Sequence, residues 1–185
     1  MQDFSPQLVY GKSDRINSPL MNKHLLAGTT VHELFVGGNG SSFPFLHYDA
    51  LYMHTQLTQL YGSKVFYLYP PSQTPNMYAY PDSPEFSQVN FLESGYQKFP
   101  LFKNVKPIVM NVLQGETIFF LSGWWHTTKI TEPSVTYGCG QLNAHNWDDF
   151  IKDRYTNWKK KIHFMASPVL AYGAIIGKFM NILEA

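Results

Sequence analysis

The stretch FPFLHYDALYMHTQLTQLYGSKVFYLYPP, from Phe43 to Pro71, decides how this chain is read. It carries a His-x-Asp pair, His47 and Asp49. Lys64 follows 15 residues after Asp49 in a Gly-x-Lys, and an apolar run then closes at Pro70-Pro71. A further histidine, His126, stands 77 residues after Asp49 inside GWWHTT. Strand side chains alternate faces, so His47 and Asp49 point the same way, roughly 7 Å apart along the chain. Phe45 shares their face; Leu46 and Tyr48 point away. This parity suits a metal site at the mouth of a barrel. Alone, a His-x-Asp reads better as a surface pair that happens to sit two apart, and it gains weight only from the residues downstream of it.

Two histidines and one carboxylate with open coordination positions form the facial triad that holds Fe(II) in non-haem oxygenases. His47, Asp49 and His126 are the candidate metal ligands. His54 invites a second metal reading, but a hydrogen-bonded histidine near the site is the plainer expectation. Trp124 and Trp125 are candidate walls of the site, with core packing as the alternative for at least one.

The bulk numbers set bounds. A chain of 185 residues fits one domain with a substantial core. Aromatics make up 16%, including 12 Tyr and 14 Phe, which favours a β-rich fold. Lys plus Arg is 14 and Asp plus Glu is 13, so a net charge of +1 predicts no broad nucleic-acid footprint. The single cysteine, Cys139, excludes an intramolecular disulfide framework and a cysteine-built zinc site. The opening MQDFSPQLVYG is polar and lacks an apolar signal region, so an intracellular chain, cytoplasmic or nuclear, is expected. His163–Leu183 is apolar but interrupted by Pro168, Lys178 and Asn181, and reads as a packing or dimer helix, not a membrane span.

Along the chain, turn formers dominate residues 1–30, with a helical turn at Asn22–Ala27. Strands are expected at Thr30–Val36, Phe45–Asp49, Val65–Tyr69, Ile108–Val112, Thr117–Leu121, Thr127–Ile130 and Ser134–Leu142. Tyr61–Lys64 reads as a hairpin bend, and Gly115 and Gly123 as hairpin glycines. Gly37–Gly40 is a turn, too short for a phosphate loop. Residues 72–105 form a long aromatic connection, either a lid or substrate wall or a decorated surface loop. Gly138 and Gly140 leave room on one face of the last strand, for a ligand or a bulge. Asn146 or Asp148 is expected to cap a helix from Trp147, with Asp148 and Asp149 in its first turn. A second helix, Val169–Leu183, carries the small-residue pair Gly173 and Gly177.

Taken in order, FPFLHYD, QLYGSKVFYLYPP, FPLF and QGETIFFLSGWWHTT resemble the JmjC-type cupins, the Fe(II)- and 2-oxoglutarate-dependent oxygenases. Among these, they are most similar to the cupin-like group that includes the asparaginyl hydroxylase acting on hypoxia-inducible factor. The similarity covers about Phe35 to Trp147. It implies a mainly β fold, a double-stranded β-helix (cupin or jelly-roll barrel) followed by C-terminal α-helices. The barrel is expected at 1–146, with a shortened N-terminal part, and a helical extension and dimer interface at 147–185. It implies that His47, Asp49 and His126 bind iron and that Lys64 pairs with the distal carboxylate of 2-oxoglutarate. Thr55 stands where relatives place an asparagine that helps hold the cosubstrate. O2 would complete the reaction, a hydroxylation of a protein side chain or small molecule. Only 46 residues precede His47, fewer than relatives usually carry. A minimal barrel, a partner covering an edge, or a piece of a longer chain would each account for that. The alternatives to an oxygenase are a metal- or small-molecule-binding cupin without turnover, and a structural module assembled through its C-terminal helices. Loss of iron affinity is expected below about pH 6.5, where the histidine ligands protonate.

Overall fold

The structure, a computed structural model, describes residues 18, 20–26, 32–43, 45–90, 97–161 and 163–184. Its logic is clearest in the strand Lys64–Tyr69 (β3 below), where Lys64, Phe66 and Leu68 are buried on one face and Val65 and Tyr67 are half-buried on the other. The strands in chain order are β1 (His32–Gly37), β2 (His54–Tyr61), β3 (Lys64–Tyr69), β4 (Ile108–Val112), β5 (Thr117–Phe120), β6 (Trp125–Ile130) and β7 (Ser134–Gln141). They form two antiparallel sheets, ordered β1-β7-β2-β5 and β4-β3-β6. Leu57, Ile118 and Phe120 from the first sheet meet Phe66, Leu68 and Val112 from the second, with Phe35 and Trp124 packed against them. Each such side chain contributes about 1.5–3 kcal/mol by leaving water. The fold is the expected one, mainly β, a jelly-roll with C-terminal helices.

Most turns pass from one sheet to the other. Tyr61–Lys64, expected as a hairpin bend, joins β2 to β3, which lie in different sheets, because β2 already pairs with β7 and β5. Gly115 likewise joins β4 to β5 across the sheets. The positive φ foreseen for these turns is present, at +86° for Gly115 and +75° for Gly123. Of the expected first strand, Thr30 and Val31 lie outside the described residues. The room at Gly138 holds no ligand space. A Cβ there would lie 2.9 Å from the Phe35 ring and 3.0 Å from Leu57, so the core itself fills it.

The long connection lies on the outer face of β4-β3-β6. Met77, Ala79, Phe102 and Val105 pack with Leu46, Tyr67, Tyr69 and Trp125. This sheet is therefore apolar on both faces, which explains the unbroken apolar run of β3. Phe91 and Tyr96 lie outside the described residues.

Two compact units divide the chain, and the strands above, up to Gly140, belong to the one formed by residues 31–50 and 54–140. The other takes residues 51–53 and 141–185 with the described part of 1–30. In it, α1 (Ala144–Lys161) packs along α2 (His163–Glu184). The cap of α1 is Asn143, not Asn146 or Asp148. Asn143 Oδ1 accepts the His145 N–H, while Asn146 Oδ1 accepts the Asn143 N–H. This reciprocal arrangement is a capping box built on asparagines, and it moves Asp148 and Asp149 beyond the first turn. Asn146 also donates to the carbonyls of Tyr52 and Gln141. α2 begins six residues before the expected Val169 and contains Pro168. Gly173 and Gly177 are used between these two helices: a Cβ on Gly173 would meet Ile151 at 2.5 Å, and one on Gly177 would meet Trp147 at 2.9 Å. By length and composition alone, Ala166–Glu184 is apolar enough to cross a membrane.

The tightest test of the barrel is Gly62, at φ +68°, where an added Cβ would stand 2.0 Å from the Pro133 carbonyl oxygen. Gly62→Ala combines left-handed strain with a backbone clash and is expected to cost at least about 2 kcal/mol. A urea midpoint lowered accordingly supports this corner; an unchanged midpoint refutes it.

Candidate metal centre

The centre begins with a backbone contact. Phe45–Asp49, expected as one strand, is a segment held by isolated bridges of His47, opposite His126 on one side and Phe86 on the other, with Ser42 opposite Lys129 just before it. His47 N–H donates to the His126 carbonyl at 3.1 Å, and His126 N–H donates back to His47 at 2.6 Å. Directly opposed residues on antiparallel chains project on the same side. The two imidazoles accordingly lie side by side, with ring centroids 4.3 Å apart. Asp49, two residues on, returns to the same face. Its Oδ1 is 3.8 Å from both His47 Nε2 and His126 Nε2. One ligand atom from each of the three residues lies within 4.8 Å of the others.

The remaining atoms of the three side chains are already engaged. His47 Nδ1 faces the Phe45 carbonyl at 3.1 Å, and His126 Nδ1 faces the Trp124 carbonyl at 3.1 Å. A carbonyl only accepts, so each Nδ1 carries the proton and each Nε2 presents its lone pair inward. This is the outer-shell arrangement that orients metal-binding histidines. The Thr55 hydroxyl donates to Asp49 Oδ2, which leaves Oδ1 for the centre. The donor set fits a divalent metal: two neutral imidazoles, one carboxylate, and a face of Asp49 that is one-third exposed.

Burial first, then the neighbouring His126, push the His47 imidazole down to about 4 against the opposing pull of Asp49. His47 thus remains in its ligating form well below 6.5, and the expected loss of affinity near that pH moves lower for this ligand. Rings that the sequence does not single out flank it: Phe43 stacks on His47 at 4.6 Å and Phe86 at 6.0 Å. Phe86 arrives because residues 85–87 of the long connection pair with 46–48. No local sequence signal announces that pairing.

Lys64 faces the barrel interior, 5% exposed, with its Nζ 5.6 Å from the centroid of the Phe35 ring. Among the described residues it has no hydrogen-bond or ion-pair partner. Burial lowers its ammonium to about 8. His54 and Trp125 do not wall the centre, since strand alternation turns each to the face opposite its neighbour in the site. His54 Nδ1 accepts the Ser122 N–H at 3.0 Å. Trp125 is wholly buried with Leu46, Tyr69 and Met77 and donates to Thr74. Trp124, on the face of His126, packs against the inter-sheet core.

Residues 3–141 match the model of the cupin-like domain family. HSPB1-associated protein 1 of Bos taurus is 27% identical over 133 residues, 70% of this chain and 26% of that protein. JmjC domain-containing protein D of Dictyostelium discoideum is 34% identical over 105 residues, 55% of this chain and 23% of that protein. JmjC domain-containing protein 8 of Homo sapiens is 28% identical over 111 residues, 60% of this chain and 38% of that protein. The chain thus spans about a quarter to two-fifths of the curated relatives it matches.

Thr55→Val removes the donor to Asp49 Oδ2 and is expected to weaken Mn(II) or Fe(II) binding by about 10-fold or more, with Thr55→Ser restoring most of it. Equal affinities in titration calorimetry would remove Thr55 from the site. A second expectation concerns the metal-free protein. His47 is neutral when folded and takes a proton near 6.5 when unfolded, so its contribution is complete above 6.5 and is lost as pH falls towards about 4. The loss is up to about 1.4 kcal/mol per pH unit. His47→Asn should flatten that part of the stability curve; a curve parallel to wild type would show that His47 protonates freely in the fold.

Proposed function

This chain belongs to the cupin-like domain family, and from that premise we propose that it is an Fe(II)- and 2-oxoglutarate-dependent oxygenase, acting as a hydroxylase. One observation carries the reading beyond metal binding, namely Lys64. A cupin that merely held a metal would need His47, Asp49 and His126 but would have no use for a buried ammonium that has no counter-ion among the described residues. Such a group favours an anion entering the barrel. β3 and β6 give its place relative to the triad. Leu68 pairs with His126 and Lys64 with Ile130, so Lys64 sits four residues along the same inward face, about 13 Å by strand rise. A dicarboxylate between them would offer one end to Lys64 and the other to the metal.

Bound iron and cosubstrate would supply the O2-derived oxidising power for C–H hydroxylation. The chain's own residues do the rest. His47 and His126 present Nε2, and Asp49 presents Oδ1 while Thr55 holds its other oxygen. Lys64 fixes the cosubstrate by charge. Phe43 and Phe86 keep water from the His47 side. Relatives named for association with HSPB1 support a protein among the partners of this chain.

The test is anaerobic loading with Fe(II) and 2-oxoglutarate, then succinate release on adding O2. Asp49→Ala should abolish both metal binding and succinate. Lys64→Met should leave Fe(II) affinity within about twofold and raise the KM for 2-oxoglutarate about 10- to 100-fold. Iron binding without succinate, in wild type as in Lys64→Met, would instead favour a metal-binding cupin without turnover.

A further inference from the structure

His54 has no task in the chemistry above, yet it is buried and its ring is fixed. Its Nδ1 accepts the Ser122 N–H at 3.0 Å. A backbone N–H only donates, so Nδ1 carries the lone pair and the neutral ring holds its proton on Nε2. The Phe119 ring meets it edge-on, with centroids 5.9 Å apart. His47 and His126 take the opposite tautomer, because each of their Nδ1 atoms faces a carbonyl.

Ser122 belongs to the connection of residues 121–124, which leaves β5 in one sheet and enters β6 in the other. Gly123 turns it at φ +75°. Among the described residues this connection is tied to two histidines. Ser122 donates to His54, and the Trp124 carbonyl faces His126 Nδ1. The segment bearing His47 is braced differently. There the Ser87 N–H donates to the Leu46 carbonyl and the Tyr48 N–H donates to the Glu85 carbonyl, on either side of the ligand. Among the described residues the long connection makes no such backbone bond to 121–124, and His54 stands in its place. Thr55, next to His54 and turned to the opposite face of β2, holds Asp49. Two adjacent residues of β2 thus reach two of the three ligands, Thr55 directly and His54 through the turn.

We propose that His54 is a positioning residue of the metal centre. By holding Ser122 it fixes the turn whose last carbonyl, that of Trp124, sets the tautomer and orientation of His126. The inference rests on the metal reading of the triad, and its test reads ring resonances and metal affinity, not turnover.

The full chain is isotopically labelled on nitrogen and loaded with Zn(II), a diamagnetic stand-in for Fe(II). In wild type, a scalar coupling across the hydrogen bond is expected between the Ser122 amide nitrogen and His54 Nδ1. His47 and His126 are each expected to show a protected Nδ1 proton. His54→Leu removes the acceptor. It is expected to displace or broaden the Nδ1 proton of His126, to leave that of His47 in place, and to weaken Zn(II) binding about tenfold. His54→Asn, whose Oδ1 replaces Nδ1 as acceptor, is expected to restore most of both. A general loosening of the fold would disturb the two ligand histidines alike and would not be rescued by asparagine. An unchanged His126 signal in His54→Leu, or an equal change at His47, overturns the proposal while the metal site stands. Absence of the coupling in wild type overturns it whether or not the variants fold. Failure of wild type to hold Zn(II) overturns the metal reading and this inference with it.

Discussion

The centre depends on one pair of backbone hydrogen bonds, those exchanged between His47 and His126. Residues 79 apart in the chain are set face to face by main-chain geometry, with no contribution from their side chains. Once they are opposed, strand alternation brings Asp49 to the same side. The carbonyls of Phe45 and Trp124, each two residues before a histidine, turn both rings alike. The site has an approximate internal symmetry that follows from antiparallel pairing. A slip of one residue in that pairing would send one histidine to the opposite face.

That opposite face is no empty space. Trp125 and Leu46, the neighbours of His126 and His47, are both fully buried under the long connection. The register is thus held from behind, because a slip would also drag these two apolar side chains out of their cluster, at about 1.5–3 kcal/mol each. The long connection serves the centre chiefly in this way. It covers the back of the sheet with Met77, Phe102 and Val105, and only residues 85–87 reach round to the segment bearing His47. Of the lid and the surface loop, the described residues favour neither; they show an outer wall.

This division explains what could be read in the sequence. The ligand-bearing faces were legible because alternation is a local rule, and so were β3, β4 and β7, which fall within two residues of their expected ends. The sheet pairing was not legible. Tyr61–Lys64 has the composition of a hairpin turn, and nothing local says that β2 and β3 leave it for different sheets. Phe43 and Phe86 as neighbours of His47 were equally hidden, since one lies outside any regular strand and the other depends on a contact across a long loop. Thr55 was placed near the centre by resemblance, yet its partner is Asp49. At α1 the signal was present in Asn143 and Asn146, but asparagine is a weaker cue than the Ser/Thr and Glu of the usual capping box.

The barrel treats its two buried bases differently, and the difference has one cause. Burial disfavours charge in both. For His47 the neutral state that burial favours is the state that ligates a metal, so fold and function agree. For Lys64 they conflict. Lowered to about 8, the ammonium is still the main form at pH 7, buried beside the Phe35 ring with no counter-ion among the described residues. A Met or Leu there would relieve that cost and pack as well beside Phe35. On the proposed reading an anion entering the barrel would supply the counter-ion, and the folded state would then be stabilised by linkage. On that reading the cost of burying the charge is borne for the ligand and not for the fold.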